Sequence, residues 1–170
     1  MLTLQIVLDR YIGIDYGRKR TGIAASDPLG IFASALDTSD STKLIDYLKN
    51  YASKERILAF VVGYPVNMDG KPSEAQADVD VFLKQLEKAF PGVPVQLEDE
   101  RFTSVLAQRV MIDGGMKKSE RREKGSVDRI SAALILQGYL DRRNGSVGLG
   151  SIDPLSVPDS LSKNKTRRKK

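Results

Sequence analysis

The chain has 170 residues, 41% of them apolar, and mixes charges of both signs to a net +5. That composition suits one soluble globular domain, or one domain with a tail. Neither cysteine nor histidine is present, which excludes disulfides, zinc held by thiolate or imidazole, cysteine nucleophiles and Ser-His hydrolysis; any catalysis falls to carboxylates, Lys, Tyr, hydroxyls or a hard metal ion.

No apolar run is long enough to span a bilayer. Met1 to Leu8 is apolar, but it lacks a basic start and a small-residue cleavage site, so it does not read as a signal peptide. Residues 1–9 are expected to form a short N-terminal extension, with the cytoplasm as the location.

"RYIGIDYG" (Arg10 to Gly17), "KRTGIAASD" and "GIFASALDT" are short runs separated by turn residues such as Asp27-Pro28-Leu29-Gly30. They predict an antiparallel three-stranded meander. Asp40 or Ser41 can cap a helix whose Leu44, Ile45 and Leu48 recur at helical spacing. "ILAFVVGYP" is almost continuously apolar, as a strand covered on both faces should be. Ser73-Glu74-Ala75-Gln76 is a capping-box pattern opening a helix with Val79, Phe82, Leu83 and Leu86 as its inner stripe. "VPVQLEDE" predicts another strand, Thr103 or Ser104 to Asp113 a third helix, and about Val127 to Leu140 the last, after the charged connection "MKKSERREKG". The order β-β-β-α-β-α-β-α-α predicts an α/β domain over residues 1–143, a mixed five-stranded sheet with helices on both faces.

Residues 144–170 differ in kind. They hold six Lys or Arg against two Asp, with three Gly and two Pro, and end in "KNKTRRKK". Such a segment cannot bury enough apolar surface to order itself, so a flexible basic tail is expected. A sequence-independent phosphate-binding arm is the functional alternative to a merely solvated terminus.

Three acids stand where acids are out of place. Alternation puts Tyr11, Gly13 and Asp15 on one face of the first strand and Ile12, Ile14 and Tyr16 on the other, and Asp is disfavoured in strands. A turn-forming Asp is the plain alternative. Gly17, Gly22, Ala24 and Ala25 leave room for backbone or ligand to come close. In "LEDER", Gln96, Glu98 and Glu100 share a face and Asp99 takes the other, so alternation cannot choose between Glu98 and Glu100; a solvated strand end would also explain them. Asp128 falls on the inner stripe of the last helix with Ala132, Ile135, Leu136 and Tyr139. It would serve as a simple dipole complement if exposed, but buried it needs a donor or a metal. These acids can converge if the first and last parallel strands are neighbours and the final helix packs over their ends. Three carboxylates without histidine suit Mg²⁺ or Mn²⁺, and two such ions about 4 Å apart can drive phosphodiester hydrolysis.

In order and spacing, "YIGIDYGRKRTGIA", "VVGYPVNMDG", "LEDERFTS" and "KGSVDRISAALIL" resemble the YqgF/RuvX family of Holliday-junction-resolvase-like proteins, over about Tyr11 to Leu140. The resemblance implies an RNase H-like fold and a nuclease, a hydrolase of ester bonds, that processes the 5′ end of precursor 16S rRNA. It also implies a divalent-metal site with Asp15, Glu100 and Asp128 as catalytic and metal-binding residues, and so selects Glu100 over Glu98. One departure stands out: related resolvases carry a second acid one helical turn beyond the final Asp, and here that position is Ser131, which puts four-way-junction cleavage in question. Lys19, Arg20, Asn67, Arg101 and Lys124 are the candidate nucleic-acid contacts. Each could also be ordinary solvated surface. Arg101, beside Glu100, is best placed to grip a phosphate.

The expected partner is structured RNA or a DNA junction and not a membrane, with the protein a monomer or weak homodimer. The competing readings are a DNA resolvase, a nucleic-acid-binding module without activity, and an ATPase phosphate loop in "IGIDYGRKRTGIA"; the last would need a second domain to clamp ATP.

Overall fold

The computed structural model describes residues 6–100, 107, 112–121 and 123–145. Five strands, β1 (Asp9–Asp15), β2 (Arg20–Ser26), β3 (Ala33–Asp40), β4 (Arg56–Tyr64) and β5 (Val95–Asp99), form one sheet in the order β3-β2-β1-β4-β5. The first three are antiparallel neighbours, and β4 and β5 run parallel to β1. The meander and the parallel units therefore match expectation. The neighbour relation does not: β4 lies between β1 and β5. Alternation reports which face a residue takes, never which strands adjoin.

One face is covered by α1 (Leu44–Ala52) and α2 (Glu74–Ala89). Asp40 accepts from the Thr42 N–H and caps a single 3₁₀ turn that leads into α1. At the start of α2 the expected capping box forms, with the Gln76 N–H on Ser73 Oγ and the Ser73 N–H on Gln76 Oε1. These two interactions satisfy donors that a helix start leaves unpaired. Leu44, Leu48, Val79, Phe82 and Leu86 pack against Ile12, Ile14, Ile23, Phe60 and Val62.

The opposite face carries α4 (Lys124–Arg143), which follows a short helix, α3 (Lys118–Arg121), inside the segment expected to be a plain connection. Helix α4 extends three residues beyond its predicted span at each end. Ala132, Ile135, Leu136 and Leu140 bury against Tyr11, Ala24, Ala59 and Val61. Polar contacts fasten it along the β2–β3 side: Thr38 Oγ1 donates to the Gly125 carbonyl, Gln137 bridges Ile31 and Ala33, and Asn144 donates to the Gly30 carbonyl. Among the described residues no helix is long and apolar enough to cross a membrane. The helix expected from Thr103 or Ser104 lies almost wholly outside the described residues, as do Arg101 and the basic tail.

Candidate active site

Glycine brings α4 down onto the sheet. A Cβ on Gly13 of β1 would lie 2.6 Å from the Ala132 carbonyl oxygen, and one on Gly22 of β2 would lie 1.9 Å from that of Asp128. Adjacent strands thus present bare backbone where the helix backbone rests. That contact sets the N-terminal half of α4, with Asp128 and Ser131, over the C-terminal end of β1, where Asp15 follows Tyr11 and Gly13 on the same face.

Glu100 arrives from the other side. It lies just past β5, its N–H directed at the Tyr64 carbonyl of β4 at 3.4 Å. From there its carboxylate leans across Gly63 of β4, where a Cβ would sit 2.7 Å from Glu100 Oε2. The carboxyls of Asp15 and Glu100 lie close enough to influence each other's protonation. Burial, then the charges of Glu100 and Asp128, push the Asp15 pKa up to about 7. Burial and the neighbouring Asp99 charge raise Glu100 as well. Near neutral pH such a pair holds a proton between its members because two close buried charges repel.

Asp128 is half-buried, and its Oδ2 lies 3.0 Å from Arg20 Nε. Ser131 Oγ is buried and leans toward Asp15, favouring its charged form, yet among the described residues it makes no hydrogen bond of ordinary geometry. An orphaned buried hydroxyl beside three acids is uncommon and costs stability unless something binds it.

Asp15 and Glu100 are thus brought side by side, and Asp128 lies near enough for its charge to act on Asp15. Glu98 takes a different place: it shares the face with Glu100, but it is buried and paired with Arg142 of α4. Arg20 points to Asp128. Lys19 is exposed on the β1–β2 turn. Asn67 uses its amide inside its own loop, donating to the Lys71 carbonyl. The Lys124 side chain and Arg101 lie outside the described residues. Sequence reasoning missed Gly63 and Arg142; an isolated glycine inside the apolar run "AFVVGY" was the available signal for the former, and nothing local marked the latter.

The donor set fits a hard divalent cation: carboxylates, one hydroxyl and excess negative charge that the pair relieves only by keeping a proton. Among the described residues no group of three Asp or Glu is already arranged to hold a metal ion. Asp128 instead pairs with Arg20.

Curated relatives cover most of the chain. A protein of Parabacteroides distasonis, provisionally named a pre-16S rRNA nuclease, is 48% identical over 136 residues, covering 80% of this chain and 97% of its own length. One of Azobacteroides pseudotrichonymphae with the same provisional name is 50% identical over 134 residues, covering 79% and 97%. Among solved structures, T. thermophilus RuvC in complex with a Holliday junction substrate superposes with a TM-score of 0.51 at 18% identity, covering 81% of this chain and 96% of that one. At that identity the likeness establishes the RNase H-like fold. A family model described as RuvX, Holliday junction resolvase, matches residues 9–142. The chain belongs to the RuvX family.

Proposed function

We propose that this protein is a divalent-metal-dependent nuclease that processes the 5′ end of precursor 16S rRNA by phosphodiester hydrolysis in the cytoplasm. The observation that carries the reading is the meeting of Asp15 and Glu100, two largely buried carboxylates from non-adjacent strands, beneath Asp128. Buried carboxylates whose mutual repulsion raises their pKa are a mark of functional sites. The relatives' shared name supplies the RNA substrate.

In this reading Asp15, Glu100 and Asp128 would hold Mg²⁺ or Mn²⁺. Bound there, the ion would acidify a water and offset charge developing on the phosphate. The chain's own residues do the rest. Asp15 and Glu100 give up the proton they share when the site fills. The Ser131 hydroxyl is placed to orient a water by hydrogen bonding. Arg20, on turning from Asp128, offers a planar fork to a non-bridging phosphate oxygen, with Lys19, Arg101 and Lys124 as further phosphate contacts. Residues 144–170, with six Lys or Arg against two Asp, would add sequence-independent affinity.

The test is incubation of purified protein with a precursor 16S rRNA 5′ segment, a DNA four-way junction and single-stranded substrates, with Mn²⁺ and with EDTA. Cleavage of the RNA that requires Mn²⁺ and disappears in Asp15→Asn, with binding retained, supports the reading. Cleavage of the junction alone would make the protein a DNA resolvase. Binding without cleavage of any substrate would make it a binding module.

A further inference from the structure

We infer that Gly63 is a positioning residue whose missing side chain lets Glu100 reach Asp15. The inference rests on the proposed nuclease site but makes a separate claim about how that site is built. Gly63 lies in β4 one position beyond Val62, which pairs with Ile14, and opposite Glu98 of β5. It therefore stands level with Asp15, between the strand that carries Asp15 and the strand that delivers Glu100.

Glycine in a strand interior is disfavoured relative to alanine, and the backbone conformation here does not call for it. Gly63 is not among the residues with positive φ, so its backbone would suit any amino acid. Among the described residues, the three atoms nearest to a Cβ placed here all belong to side chains. The atoms that a Cβ at this position would meet first are Ile135 Cδ1 at 2.6 Å, Glu100 Oε2 at 2.7 Å and Glu100 Cβ at 3.5 Å.

Other glycines of the sheet behave differently. At Gly13 and Gly22 the closest atom is a backbone oxygen of α4, and at Gly17, in the β1–β2 turn, it is the Arg20 carbonyl oxygen. A methyl group at those positions must move a helix or a turn. At Gly63 the atoms within 3 Å, among the described residues, are the ends of two side chains, one a core isoleucine and the other the candidate ligand. The space is therefore occupied by the site itself. An alanine would leave the sheet in place, swing the Ile135 terminus aside, and hold the Glu100 carboxylate back on the β5 side of β4. Asp15 would lose its partner across the gap.

The experiment compares wild type, Gly63→Ala, Ile135→Val and the double variant Gly63→Ala/Ile135→Val. Valine at 135 removes Cδ1 and frees one side of the new methyl while leaving its clash with Glu100. Three readouts are used: thermal unfolding, Mn²⁺ affinity by calorimetry, and crystal structures of wild type and Gly63→Ala giving the Asp15–Glu100 separation. The expected result is a folded Gly63→Ala with the two carboxyls parted and Mn²⁺ bound roughly tenfold or more weakly, the scale seen when a ligand's orienting contacts are lost. The double variant recovers the thermal midpoint but not the Mn²⁺ affinity. With substrate, kcat falls while KM stays near wild type.

An unshifted Glu100 in the Gly63→Ala crystal structure overturns the inference. So does Mn²⁺ affinity restored by Ile135→Val, because packing alone would then explain the loss. If wild type binds no Mn²⁺ and cleaves nothing, the nuclease reading fails, and the crystal structures still decide whether Gly63 sets the distance between the two carboxyls.

Discussion

Arg20 Nε and Asp128 Oδ2 lie 3.0 Å apart, joining β2 to α4 across 108 positions of sequence. Asp128 is thus already answered by a cation. The pair is partly exposed, 44% at Arg20 and 25% at Asp128, so its strength is modest, about 0.2–1 kcal/mol. A guanidinium that neutralises a ligand competes with the metal for it. Arg20→Ala is expected to bind Mn²⁺ two- to fivefold more tightly in the absence of nucleic acid, about the same energy expressed as affinity, while binding RNA more weakly. Calorimetry with each ligand measures both. Weaker Mn²⁺ binding in Arg20→Ala would mean that the arginine holds Asp128 in its ligating position.

Asp15 predicts an unusual pH dependence. Its pKa in the folded chain is raised to about 7, whereas in the unfolded chain it returns to the ordinary carboxylate range near 4. The folded state therefore binds the extra proton between those values. Stability from this group is fully present below about pH 4 and is lost as pH rises through about 7. The loss is at most about 4 kcal/mol, for a shift of about three pH units at 1.36 kcal/mol each. Asp15→Asn, neutral at every pH, should match wild type at pH 4 and unfold at a higher temperature at pH 8 in EDTA. Added Mn²⁺ should raise the midpoint of wild type and leave the variant unmoved. Identical pH profiles for the two proteins would show that Asp15 does not carry the strained charge.

Glu98 and Glu100 share a strand face but not a task. Glu98 is 8% exposed and paired with Arg142, whose side chain is half-exposed. Removing the arginine leaves a buried carboxylate unanswered, a loss of about 1–3 kcal/mol. Arg142→Ala should lower the unfolding midpoint yet retain Mn²⁺ affinity and cleavage at temperatures where it is folded. Glu98→Gln with Arg142→Ala should recover part of the stability, since no buried charge is then stranded. Loss of Mn²⁺ binding in the folded Arg142→Ala protein would bring Glu98 into the site after all.

Much of this architecture is written in local pattern. Alternation in "YIGID" separates the α4 face from the α1–α2 face correctly, and the inner stripes of α2 and α4 follow from helical spacing alone. The Ser73 capping box was readable because its two partners are three residues apart. Strand order was not, because the interposition of β4 between β1 and β5 depends on packing between distant segments. For the same reason alternation left Glu98 and Glu100 equivalent; Arg142, 44 positions away, is what separates them. Arg20 could be recognised as a cation near the site but not as the partner of Asp128. Asn67 could be placed on a loop after a strand, but the bond from its amide to the Lys71 carbonyl could not be read from the sequence. The site is legible as residue types, and its distances belong to the tertiary fold.

The seating of α4 offers the most severe test of how the fold builds the site. A methyl group on Gly22 would lie 1.9 Å from the Asp128 carbonyl oxygen and 2.7 Å from the Arg129 nitrogen. Both atoms belong to the helix backbone, so no side-chain rotation relieves the overlap, and the N-terminal half of α4 must lift from β2. That movement strips contacts from Ala24 and Ala132 and draws Asp128 away from Asp15. Gly22→Ala should therefore cost several kcal/mol, beyond the roughly 1–3 kcal/mol typical of an overpacked core, and should abolish Mn²⁺ binding even where the protein remains folded. Urea denaturation read by circular dichroism gives the stability, and calorimetry below the transition gives the metal affinity. A Gly22→Ala protein that keeps wild-type stability would show that α4 does not rest on β2 backbone to backbone, and the convergence of Asp128 with Asp15 would lose its structural cause.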